Sequence, residues 1–106
     1  MTGLALVVTH HLHPGHEDAF DDLAARTLES ITTLEPGTLV YAVHTVPGKP
    51  LERVFYELYV DRAAFEAHEA YPHLRAFLAE RLANIESVDV TFLDLQSLKG
   101  PGSFGA

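Results

Sequence analysis

A short apolar run, β-branched in its middle, extends from Leu4 to Leu12 and ends at the turn signal His13-Pro14-Gly15. It reads as a first strand. From His16 the period changes. Phe20, Leu23, Ala24, Thr27, Leu28 and Ile31 fall three and four positions apart, the spacing of one helical face. Glu17, Asp18, Asp21 and Asp22 crowd the first turns, where carboxylates favour the positive end of the helix dipole. Pro36-Gly37 stops a helix that spans roughly residues 16 to 33.

Thr38–Val46 reads as a second strand, Pro47-Gly48-Lys49-Pro50 as a turn, and Arg53–Val60 as a third strand antiparallel to the second. Asp61 is placed to cap a short helix carrying Ala64, Phe65 and His68. Tyr71-Pro72 breaks that helix, and Pro72 suits the first turn of the next. The face of this last helix is Leu74, Phe77, Leu78, Arg81, Leu82 and Ile85, and Ser87–Leu95 follows as a fourth strand. The order β-α-β-β-α-β predicts an α+β, ferredoxin-like fold with a four-stranded antiparallel sheet. One domain over residues 1–98 is expected, followed by a glycine-rich flexible tail over 99–106.

Strand alternation sharpens this picture. The second strand places Leu39, Tyr41 and Val43 on one side and Val40, Ala42 and His44 on the other. The third places Val54, Tyr56 and Leu58 opposite Phe55, Glu57 and Tyr59. Both faces are substantially apolar, whereas a sheet with one wet face alternates cleanly. Two helices cover one face only, so a second copy of the chain is the expected cover for the other, as a two-fold homodimer.

Composition narrows the partners. The formal charge is −8, and the seven Lys and Arg residues are scattered. Nucleic acid and anionic membrane surfaces are therefore not expected partners. The chain has no cysteine, no apolar run of membrane-spanning length and no leader-like N-terminus, so a cytoplasmic location is expected.

Two groups of residues could carry chemistry. His10, His11, His13 and His16 lie in one segment, with His11 and His13 on one strand face. An exposed strand end is preferred to a metal site, because no third ligand accompanies the pair. His10 faces the other way, as either a core or a pocket residue. The second group is Phe55, Glu57 and Tyr59, with His44 on the partner strand and Phe65 and His68 one helical turn apart. An aromatic wall with a few polar groups is the usual make-up of a small-molecule pocket, although the aromatics alone would equally serve as core. Glu57, mid-strand between apolar neighbours, needs a partner such as Arg53 or a histidine, or a wet cavity. No nucleophile elbow, phosphate loop or dinucleotide fingerprint is present.

These residues resemble a known family. Glu35-Pro-Gly37, Phe55-Tyr-Glu-Leu-Tyr59, Asp61-Arg-Ala-Ala-Phe-Glu-Ala-His68 and Tyr71-Pro-His73 together are similar to the antibiotic biosynthesis monooxygenases of the dimeric α/β-barrel superfamily. The resemblance implies a homodimer with a pocket between the open sheet face and the helices. It also implies cofactor-independent oxidation of a phenolic, quinol or polyketide-like aromatic molecule by dioxygen. His68 and Tyr59 become the expected catalytic residues, Tyr59 standing where the family often has tryptophan. His44, Phe55, Glu57, Phe65 and His73 are the expected substrate-binding residues. Haem is not expected, because Leu78 falls about where related haem-degrading members carry their ligand. The alternative is a non-catalytic dimeric α/β-barrel that binds a small molecule.

Overall fold

In the computed structural model, which describes residues 3–100, β1 (Leu4–Leu12) lies inside a four-stranded antiparallel sheet of order β2-β3-β1-β4. The other elements are α1 (Glu17–Leu34), β2 (Thr38–Val46), β3 (Lys49–Tyr59), α2 (Arg62–Ala70), α3 (Pro72–Glu80), a single 3₁₀ turn (Arg81–Ala83) and β4 (Ile85–Asp94). The result is an α+β ferredoxin-like fold in which two short helices stand where the simplest scheme has one. Asp61 caps α2, accepting the Ala64 N–H at 2.8 Å, and Pro72 opens α3. The expected tail lies, beyond Gly100, outside the described residues.

Register decides which side chains share a face. β1 pairs Leu6 with Glu57 and with Phe92, and Val8 with Phe55 and with Val90. β2 pairs Tyr41 with Glu57 and Val43 with Phe55. All of these point toward the helices, because strand side chains alternate with a period of two. Phe20 of α1 and Phe77 of α3 meet Phe55 at ring distances of 5.9 and 6.0 Å. Phe20, Phe55, Phe77 and Tyr59 are each exposed by 2% or less. Burying each contributes about 1.5–3 kcal/mol, so this aromatic layer is the main adhesive between sheet and helices. The other face carries Val40, Ala42, His44, Val54 and Tyr56, and no helix among the described residues covers it.

Two boundaries differ from the sequence expectation. The β2–β3 hairpin turns on Pro47 and Gly48 alone, since Gly48 takes a positive φ of 78° and Val46 already pairs with Lys49. β3 therefore starts at Lys49 instead of Arg53. The last helix ends at Glu80, and Ile85 belongs to β4, opposite Leu12. The chain changes direction there because Asn84 donates its N–H to Arg81 and accepts from the His13 N–H, both at 2.9 Å.

Gly37 fixes the approach of α2. A Cβ at this position would lie 2.6 Å from the Ala64 Cβ, and the Gly37 carbonyl accepts the Val60 N–H at 3.0 Å. Gly37→Ala should destabilise the fold by about 1–3 kcal/mol through this overlap. Thermal unfolding followed by circular dichroism would show a lowered midpoint, and an unchanged midpoint would mean that α2 yields freely.

Candidate functional site

The end of α1 creates an unusual demand. Glu35 is the residue that caps α1, and its side chain is turned inward with 2% exposure. A carboxylate buried in this way is costly unless every oxygen finds donors. Its Oε1 accepts from His68 Nδ1 at 2.6 Å and from Thr38 Oγ1 at 2.7 Å, while Oε2 accepts from His73 Nε2. His68 comes from α2 and His73 from α3, so one carboxylate ties both helices to the end of α1. Tyr71 strengthens the junction by donating its hydroxyl to the Leu34 carbonyl at 3.0 Å and stacking on His73.

Because His68 Nδ1 carries the proton given to Glu35, Nε2 presents a lone pair on the other side of the ring. That nitrogen lies 3.8 Å from Glu57 Oε1. Glu57 in turn accepts the Tyr59 hydroxyl at 2.6 Å. Burial pushes Glu57 up to about 7, against the opposing pull of the Tyr59 hydrogen bond. Burial also raises Tyr59 far above the ordinary tyrosine range, with Glu57 adding to the effect. Burial lowers His68, and the hydrogen bond to Glu35 partly offsets that. Near neutral pH, then, a neutral imidazole and a carboxyl near its midpoint face one another with tyrosine as a fixed donor, an arrangement able to take up and release protons.

This group opens on a cavity of about 270 Å³ between the helix-covered face of the sheet and α2 and α3. Phe55, Leu74, Phe77, Val90 and Phe92 give it apolar walls, with Glu57 and His68 at one side and His10 and Arg81 among the remaining lining groups. His10 packs against Phe20 and Phe55 at 4.9 and 4.5 Å and accepts from Arg81 Nη1 at 3.0 Å. Burial first, and then the neighbouring Arg81 cation, push His10 down to about 3, so its ring stays neutral.

Of the residues expected from sequence, Phe55, Glu57, Phe65 and His68 line this cavity. Tyr59 lies behind it, fully buried, and touches it through Glu57. His73 is one residue further out, holding Glu35. The placement of His44 in this group is corrected: it projects from the opposite face, exposed, with Nδ1 bonded to the Val54 carbonyl at 2.9 Å. Its parity matches Val40 and Ala42, and Tyr41 takes the corresponding place in the cavity. The cavity lies on the sheet face of Phe55 and Glu57, beneath Phe65 and His68, within one chain. Nor does Arg53 partner Glu57, because its guanidinium is committed to Asp21 at 2.8 and 3.1 Å. His11 pairs with Asp89 at 2.8 Å, and among the described residues no cluster of three potential ligands forms. Leu78 is part of the cavity wall.

Sequence reasoning missed Glu35, Tyr41 and Arg81 as site residues. Glu35 carried a signal, standing as the one acid against the Pro-Gly stop of α1. Arg81 carried another, as the one charge on the apolar face of the last helix.

A family model for antibiotic biosynthesis monooxygenase matches residues 4–80. Solved structures resemble the fold over nearly its whole length. A protein from Caulobacter crescentus CB15, provisionally named an antibiotic biosynthesis monooxygenase, superposes with a TM-score of 0.87 at 20% identity, covering 91% of this chain and 92% of its own. A protein from Bacteroides thetaiotaomicron VPI-5482 with the same provisional name gives 0.83 at 20% identity over 97% and 96%. A protein of unknown function from Nitrosomonas europaea gives 0.83 at 26% identity over 97% and 98%. No curated protein matches the chain. No helix among the described residues is long and apolar enough to cross a membrane.

The raised Glu57 makes a stability prediction. In the unfolded chain this group ionises near 4.5, whereas in the fold it keeps its proton up to about 7. Its favourable contribution is therefore complete below pH 4.5 and is lost as pH rises through 7. Glu57→Gln keeps the oxygen that accepts from Tyr59 and removes the titration. Relative to this variant, the natural protein should lose up to about 3 kcal/mol between pH 5 and pH 8. Urea unfolding at the two pH values measures this, and a constant difference would mean that Glu57 titrates normally.

Proposed function

The chain belongs to the antibiotic biosynthesis monooxygenase family, and on that premise we propose that it oxidises a phenolic, quinol or polyketide-like aromatic molecule with dioxygen, without a bound cofactor. The observation that carries this reading is the His68 imidazole, oriented by buried Glu35 so that Nε2 is free beside Glu57 on an aromatic cavity. An acidic C–H or O–H of the substrate loses its proton to His68, with Glu57 as the adjoining proton store. The resulting anion is electron-rich enough to give electrons to dioxygen directly. For a ring methylene beside a carbonyl, four electrons leave the carbon as CH₂ becomes C=O. One oxygen atom enters the product, and the other leaves as water with both substrate hydrogens. Tyr59 holds Glu57 in place and excludes water behind it.

The protein works, in this proposal, as a homodimer. Among the described residues no helix lies over the sheet face bearing Val40, Val54 and Tyr56, and in this proposal a second copy buries it. Sedimentation at micromolar concentration should give twice the mass of one chain, and a monomer would remove this part of the proposal.

Turnover of an anthrone or dihydroxynaphthalene should require air and stop under argon. His68→Ala should lower kcat at least tenfold, and by about 10²-fold or more if it acts as a fully positioned base. Glu35→Gln should lower kcat less, since its oxygen still accepts from Nδ1. Continued turnover without oxygen would refute the reaction. Tight binding in air with no chemical change would instead support the alternative of a non-catalytic binding protein.

A further inference from the structure

Arg81 is a cation held in no direct ion pair among the described residues, with Glu57 and Glu69 the nearest acids of its cavity. It lines the cavity and stands at the 3₁₀ turn after α3. Its guanidinium donates through Nη1 to neutral His10 and lies over the Phe77 ring at 5.9 Å. Those two contacts hold its position without neutralising it. Among the described residues Arg81 forms no ion pair, although Glu57 and Glu69 line the same cavity. Its Nε is buried with no hydrogen-bond partner.

The same molecule displays what such a group normally does. Arg53 turns its Nε and Nη2 edge onto Asp21 and bonds both carboxylate oxygens, at 2.8 and 3.1 Å. That paired edge matches a carboxylate in shape as well as charge. On Arg81 the equivalent edge has no partner among the described residues. Leaving a part-buried guanidinium in this state costs free energy that an incoming anion would recover.

We propose that the ligand of this cavity is an aromatic acid, whose carboxylate seats on Arg81 while an acidic hydroxyl on its ring faces His68 and Glu57. This deepens the functional reading above and rests on taking this cavity as the substrate site. His10 is then a positioning residue: it is the neutral acceptor that aims the guanidinium and leaves its charge available. The cavity volume of about 270 Å³ is at the small end of ligand pockets, which suits one or two rings. The aromatic walls supply the remaining affinity without selecting a charge.

Binding decides the matter without oxygen or turnover. The probes are para-hydroxycinnamate and its neutral amide, para-hydroxycinnamamide, which share size, ring and hydroxyl. Calorimetric titration at pH 7.5 should give about tenfold or more tighter binding of the acid, the return expected from a charge-assisted pair. Arg81→Leu should abolish the preference, and Arg81→Lys should restore part of it. Both variants are checked for an unchanged circular dichroism spectrum. If Arg81→Leu does not fold, Arg81→Lys with the two probes carries the test, since it must weaken the acid and spare the amide. Equal binding of acid and amide, no binding of either, or a preference untouched by both variants overturns the proposal. Charge preference without aerobic turnover would leave it standing while removing the oxygenase reading. Oxidation of neutral phenols without charge preference would do the reverse.

Discussion

A carboxylate sealed from water has to be satisfied on both oxygens, and at Glu35 that requirement organises the half of the molecule that holds the cavity. Its donors are distributed over three elements: Thr38 opens β2, His68 lies on α2 and His73 on α3. Removing any one of them would leave a buried acceptor short of a partner, at a cost comparable with a lost hydrogen bond to a charged group. The bare backbone of Gly37 allows α2 close enough for the arrangement to exist. Packing and polarity are therefore one constraint here. The helices sit at that depth because the carboxylate has to be reached.

The electrostatic character of the cavity follows from the same geometry. Glu35 uses the Nδ1 proton of His68, which leaves Nε2 as the basic atom toward Glu57. The aromatic layer excludes water, and the exclusion raises Glu57 and lowers His68 and His10. Glu57, which would otherwise be fully ionised at neutral pH, is thereby brought near its midpoint, and the two histidines are held neutral. Arg81 is the exception, because a guanidinium retains its proton even when burial lowers its affinity. A site with a neutral proton-exchanging side and a charged side has direction. A ligand that satisfied both sides would be held in one orientation.

Local signals carried most of the fold. The short apolar β1, the three-and-four spacing of α1, the Asp61 cap and the break at Tyr71-Pro72 each depend on neighbouring residues, and each appears where the pattern put it. The two shifted boundaries also have local causes. Gly48 tightens a turn that composition alone makes look longer, and Asn84 gathers bonds that end the last helix early. The aromatic wall and Glu57 were legible for a similar reason, since one strand with a period of two displays them together.

Relations between strands and helices were not legible in this way. Parity within β2 separates Tyr41 from His44 but does not say which of them faces Glu57. That depends on the register with β3, which places Tyr41 opposite Glu57 and His44 opposite Val54. Glu35 and His68 are 33 positions apart, Glu35 and His73 are 38, and Arg81 and His10 are 71. No periodicity spans such separations. The sequence by itself determined the elements, the α+β order and the apolar character of both sheet faces, because propensity, capping and turn chemistry act within a few residues. Only the tertiary structure decided which carboxylate orients which histidine, which face holds the cavity and which cation stands unpaired in it, because those depend on the packing of distant segments around a buried charge.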